Sequence, residues 1–99
     1  MTIEKYRQGA ELTVALEGRL DTVSAPELDA VVKSELEGVD TFILDLKKLQ
    51  YTSSAGLRVI LVAQKTMNKQ GKMILKNVAE AVMEVFEMTG LSDLLTIEA

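Results

Sequence analysis

Residues 41 to 46 read TFILDL, a near-continuous apolar run between polar neighbours. Such a run suits a central strand covered on both faces. Segments of helical periodicity lie on either side of it. The run therefore belongs in a sheet whose strands are joined through helices.

The flanking elements follow from the same periodicities. Residues 2–7 and 11–17 read as two strands around a QGA turn, and in the second Leu12, Val14 and Leu16 alternate with Thr13, Ala15 and Glu17. That alternation marks a half-buried strand, and the short connection suits a hairpin. Residues 18–23, GRLDTV, read as a loop. Ser24 and Glu27 have the spacing of a capping box, and Pro26 falls in the first turn, where its missing N–H costs nothing. The helix that follows sets Leu28, Val31, Val32 and Leu36 on one face and ends at Gly38. After TFILDL, residues 49–54 read as a loop. A second helix is expected from about Ala55 to Gln70, then a strand at 72–77. A third helix at 79–89 carries Val82, Val85, Phe86 and Thr89 on one face, Gly90 ends it, and LLTIE at 94–98 is a last strand.

The order is β-β-α-β-α-β-α-β within 99 residues, the length of one domain. The expected class is α/β: a mixed, mostly parallel sheet, right-handed crossovers, three helices packed on the sheet and the hairpin at one edge.

Composition removes several functions. Histidine and cysteine are both absent. That excludes a Ser-His-Asp triad, a histidine phosphocarrier, a histidine-based zinc site and a disulfide framework. No P-loop, G-x-G-x-x-G fingerprint or EF-hand spacing occurs. The net charge of −4 argues against a nucleic-acid partner. No stretch is long and apolar enough for a membrane span, and the opening MTIEKYRQGAELTV lacks a signal core, so a cytoplasmic protein is expected.

The stretch LQYTSSAGLRVILVAQ, residues 49–64, concentrates the functional signal. Ser53 and Ser54 stand where the second helix opens. Serine is among the best N-caps, contributing about 1 kcal/mol. Gly56, just inside the helix, costs about 1 kcal/mol against alanine, which points to a close approach by a neighbouring strand or by a partner. Ala55, Val59, Ile60, Ala63 and Met67 form the expected core stripe, with Leu57, Leu61 and Val62 off it and Arg58, Lys65 and Lys69 on the polar side. The loop at 49–54 follows a strand in an α/β sheet, so it should sit on the functional rim, with loop 18–23 beside it. A phosphate on either serine, with roughly −1.5 to −2 charges, is tolerated at a helix N-terminus and changes what can dock there.

FILDLKKLQYTSSAGLRVIL, together with the upstream LEGRLDTVSAPEL, resembles the STAS domain of bacterial anti-sigma factor antagonists. The resemblance extends to the element order and to the GLSDLL turn after the last helix. The family loop reads Asp-Ser-Ser-Gly-Leu, with its first serine phosphorylated; here those positions are Ser53, Ser54, Ala55, Gly56 and Leu57. The resemblance implies Ser54 as acceptor, with Ser53 as a second candidate because it replaces the aspartate. Asp21 matches the acidic residue of the family G-x-L-D loop. The implied partner surface is Asp21, Thr22, Ser53, Ser54, Gly56, Leu57 and Arg58. The implied partners are an anti-sigma factor that is also a serine kinase, and a serine phosphatase. No cofactor is implied, since ATP and Mg²⁺ belong to the kinase. Family members usually carry a further C-terminal helix, which is expected to be short or missing here. Asp21 also fits a plain turn former before Ser24, and Asp45 is expected to accept bonds from loop backbone N–H groups.

Two other readings compete. A serine nucleophile would need a lysine or carboxylate base. Lys65 and Lys69 lie at least roughly 16 Å down the helix, and Lys47 and Lys48 read as solvated. A STAS scaffold that is never phosphorylated, within a larger signalling or transport assembly, is the alternative binding-module reading.

Overall fold

A computed structural model describes residues 1–98. The chain forms β1 (Thr2–Gln8), β2 (Glu11–Leu20), α1 (Ala25–Glu35), β3 (Thr41–Thr52), α2 (Ser54–Asn68), β4 (Lys72–Lys76), α3 (Glu80–Met88), a 3-10 turn (Leu91–Asp93) and β5 (Ile97–Glu98). The sheet order is β1-β2-β3-β4-β5. β1 is antiparallel to β2, and the later pairs are all parallel. This is the expected class and element order. Among the described residues no helix is long and apolar enough to cross a membrane.

Register aligns the apolar residues into rows. Leu12, Phe42 and Met73 are neighbours across β2, β3 and β4, as are Val14, Leu44 and Leu75. All six are buried in one continuous core with Leu28 and Val32 of α1, Ile60 and Met67 of α2, and Val82 and Phe86 of α3. Because the strand order advances in one direction, right-handed crossovers carry the helices to one face of the sheet. TFILDL is therefore central, but among the described residues no helix covers its second face, where Ile43 is buried and Thr41 and Asp45 are half-buried. Ile43 points away from the core cluster, in a row with Thr13 and Ile74.

The largest departure from expectation lies at the carboxyl ends of β2 and β3. Both strands run on through what reads as loop, to Leu20 and Thr52. The parallel pairing continues as Glu17↔Lys48, Gly18↔Leu49, Arg19↔Tyr51 and Leu20↔Thr52, with register shifts between Ala15 and Glu17 and between Gly18 and Arg19. Each shift interrupts the strict alternation of faces. The buried residues of this stretch, Leu46, Leu49 and Thr52, are spaced by three rather than two, which hides the strand from a period-two reading. Gly18 sits at a shift with φ +103°, a conformation that a side chain disfavours. At the other end of the chain, β5 is only Ile97–Glu98. Leu94 to Thr96 lie before it, with Leu95 buried.

The extension of β2 and β3 positions α2. Gly56 is buried, and a methyl group there would stand 2.6 Å from Leu20 Cγ and 2.6 Å from Thr52 Oγ1. The first turn of α2 is thus pressed directly onto the tips of the two strands, and the close approach is made by the chain's own strands. The buried arc of α2 is also wider than one stripe. Leu57, expected off the core face, is buried, because α2 packs against α1 as well as β3 and β4. Val62 stays exposed.

Gly56→Ala is expected to lower the urea midpoint. Overpacking against Leu20, which has no exposure, should cost about 1–3 kcal/mol, more than the ~1 kcal/mol that alanine returns in helix propensity. An unchanged or raised midpoint would mean that Leu20 and Thr52 yield without strain.

Candidate functional site

The tips of β2 and β3 place two short connections side by side. The Ser53 amide donates to the Leu20 carbonyl at 2.9 Å, tying the β3–α2 junction to the start of the β2–α1 loop. This rim lies at the carboxyl ends of parallel strands, where α/β sheets gather functional groups.

The two serines have different surroundings. Ser53 is the N-cap of α2: its backbone is extended (φ −94°, ψ 175°), its Oγ accepts from the Gly56 N–H at 3.4 Å, and its carbonyl accepts from Leu57 N–H at 3.0 Å. Ser54 is the first residue of the helix and is exposed, and its hydroxyl has no hydrogen-bond partner among the described residues. One hydroxyl helps hold the helix start; the other is free for outside chemistry. No side-chain base hydrogen-bonds to Ser54 among those residues.

The β2–α1 loop is held by its own side chains. The Asp21 carboxylate accepts from the backbone N–H of Ser24 at 3.0 Å and of Val23 at 3.1 Å. Ser24 Oγ accepts from Asp21 N–H at 2.9 Å and donates to the Arg19 carbonyl at 2.8 Å. The expected capping box at Ser24 and Glu27 does not form. Ser24 has helical backbone angles and its hydroxyl is committed backwards, to the strand end, rather than forwards into α1. The Ser24 backbone N–H, then its hydroxyl, which also lies 3.1 Å from the carboxylate, hold the Asp21 carboxyl below its ordinary pKa; desolvation opposes them, and Val23 N–H and the charge of Arg19 add smaller lowering contributions. A lowered folded-state pKa means that this contribution to stability is present above the ordinary aspartate range and is lost as pH falls through the lowered value.

The sequence-predicted residues divide into two groups. Thr22 and Arg58 come together in a groove of about 290 Å³ between the starts of α1 and α2, with Pro26 and Asp29 on one wall and Ala55 and Val62 on the other. Asp21, Ser53 and Ser54 stand at its end of the sheet. Gly56 and Leu57, expected on the partner surface, are buried and face the core. Gly56 lets the helix start sit against Leu20 and Thr52. Asp45 accepts from Lys47 N–H at 3.0 Å and from the Asn77 side-chain amide at 3.2 Å, which is the expected structural role with one amide side chain added.

Residues not singled out in the sequence also reach this surface. Val23 is 87% exposed at the loop tip, an apolar side chain inside a turn, which is its only sequence signal. Asp29 is placed by the helical period of α1. Arg19 lies over the Tyr51 ring, 4.2 Å from its centroid, and braces the strand tips from the exposed side. A smaller hollow of about 190 Å³ on the open sheet face is lined by Glu4, Tyr6, Asp45 and Lys47 among others, and by none of the predicted site residues. Among the described residues no three acidic side chains converge as a metal site.

Comparison with known proteins matches this arrangement. The family model described as the STAS domain matches residues 2–99. A putative anti-sigma factor antagonist, BtrV, of Bordetella bronchiseptica is 37% identical over 81 residues, covering 80% of this chain and 70% of that protein. The anti-sigma-B factor antagonist of Bacillus subtilis is 35% identical over 91 residues, covering 90% of this chain and 83% of that protein. Among solved structures, the Bacillus protein SpoIIAA superposes in its unphosphorylated form with a TM-score of 0.78 at 18% identity, over 99% of this chain and 88% of that one. In its phosphorylated form SpoIIAA superposes with a TM-score of 0.77 at 20% identity, over 99% and 92% of the two chains. With its element order, strand topology and helix-opening serines in place, the chain belongs to the STAS domain family of anti-sigma factor antagonists.

Proposed function

We propose that the chain is an anti-sigma factor antagonist that works by partner switching, with Ser54 as the switch. The observation that carries this reading is the exposed, uncommitted Ser54 hydroxyl at the start of a helix whose cap and packing are supplied by other residues. The anti-sigma factor antagonist role of the relatives and the existence of SpoIIAA in both phosphorylation states support it. The protein is a binding module and kinase substrate, not a catalyst, and acts in the cytoplasm.

Unphosphorylated, the rim of Asp21, Thr22, Ser54 and Arg58 docks on an anti-sigma factor that is also a serine kinase, and that regulator releases its other target. The Ser54 oxygen then attacks the γ-phosphorus of the kinase's ATP. The bond from that phosphorus to the bridging oxygen breaks, ADP leaves, and the hydroxyl proton passes to a base of the kinase. A serine phosphatase hydrolyses the ester with water and restores the alcohol. The new group brings roughly −1.5 to −2 charges. Enclosing it in an interface without a partner costs several kcal/mol, and about 1.4 kcal/mol is already tenfold in affinity.

Ser54→Ala should bind the kinase partner constitutively, and Ser54→Asp should bind at least about tenfold more weakly by calorimetry. Equal affinity of Ser54→Asp and wild type would contradict a charge switch at this position. Incubation with the partner kinase and ATP should add one phosphate to the intact mass. Ser53→Ala should retain that phosphate while losing about 1 kcal/mol of stability with the cap. Loss of the phosphate from a folded Ser53→Ala protein would move the acceptor to Ser53.

A further inference from the structure

We infer that Arg58 is an internal clamp for the phosphate on Ser54, so that phosphorylation withdraws Arg58 from the docking surface while it adds charge. This rests on the reading of Ser54 as the phosphoacceptor. Ser54 and Arg58 are both exposed residues of α2, at positions i and i+4. Residues at that spacing are neighbours on one helix face, and an anion on the N-terminal side of a cation is the favourable order. Helical side chains lean toward the N-terminus, the direction in which Ser54 lies from Arg58, so the turn that carries Ser54 is within reach of a long side chain at 58. A guanidinium and a phosphate pair through two parallel N–H···O bonds.

Arg58 is also available. It makes no ion pair and no side-chain hydrogen bond among the described residues. The acidic group that shares its groove, Asp29, is taken by Lys33 at 2.9 Å on the same helix. The other charged groups around this rim are likewise engaged. Asp21 is bound to Ser24 and Val23 within its own loop, and Arg19 lies over Tyr51. A phosphate on Ser54 thus meets one uncommitted cation within reach along its own helix. In the unmodified protein Arg58 lines the groove with Thr22 and Val62, where a partner carboxylate can meet it. One side chain then serves the two states alternately, and the modified state loses a positive contact as well as gaining negative charge.

The test uses the full chain with phosphoserine installed at position 54 during translation, so that no kinase is needed. The second ionisation of the phosphate is followed by phosphorus NMR as pH is varied. In wild type it should fall below the value of about 6 for free phosphoserine. Arg58→Gln should raise it by roughly a quarter of a pH unit or more, and Arg58→Lys should leave it between the two. High salt should narrow the difference, as expected for an exposed pair. The same ionisation in wild type and Arg58→Gln would overturn the clamp, including the case in which both are low because Arg19 or the helix N–H groups hold the phosphate. Failure of the partner kinase to modify Ser54 would instead contradict the acceptor reading, and leaves this measurement intact.

Discussion

The close contact between Gly56 and the paired tips of β2 and β3 is the constraint from which the site's geometry follows. The absence of a side chain at Gly56 lets α2 begin against Leu20 and Thr52, at 2.6 Å from where a Cβ hydrogen-bearing group would otherwise need space. The tips themselves exist because the parallel pairing survives two register shifts and runs on to Leu20↔Thr52. With the helix start fixed from beneath, Ser54 has one direction left, outwards. The Ser53–Leu20 backbone bond then brings the Asp21 loop alongside. Sheet register, a missing methyl group and one amide thus place an alcohol on the surface without using the alcohol for anything else.

This separation of duties gives the proposed switch its physical logic. A residue that both held the fold and carried a phosphate would couple modification to unfolding. Here the cap is Ser53, the loop is held by Asp21 and Ser24, and the core lies beneath Gly56 and Leu57. Ser54 can change its charge by nearly two without withdrawing a hydrogen bond from the scaffold. In the switch proposed above, regulation is exerted on what docks, with Arg58 as the proposed local responder, rather than on whether the domain is folded.

Much of the fold was legible in the residues. Alternation of Leu12, Val14 and Leu16, and the i, i+3, i+4 stripe of Leu28, Val31 and Val32, identified β2 and α1 because each buries one face against one layer. The strand ends were not legible, because the register shifts respace the buried residues to Leu46, Leu49 and Thr52. The helix start at Ser24 was legible but its capping box was not: a serine and a glutamate at that spacing do not reveal that the hydroxyl is already claimed by the Arg19 carbonyl. At the site, the serine pair was conspicuous, but its division of labour needed backbone angles. Gly56 signalled a close approach in the sequence, and only the packing identified the strands as what approaches. Leu57 read as off the core stripe because the flanking contact of α2 with α1 lies outside any one-helix periodicity.

The most direct test of a scaffold indifferent to the state of Ser54 is a comparison of backbone amide spectra of the unmodified chain and the chain carrying phosphoserine at 54. Changes should be confined to the β2–α1 loop and the first two turns of α2, with the amides of Val14, Leu44 and Leu75 unmoved, if the scaffold is indifferent to the phosphate. Shifts or broadening spread through those central strands would show that the phosphate reorganises the fold, and would contradict that indifference.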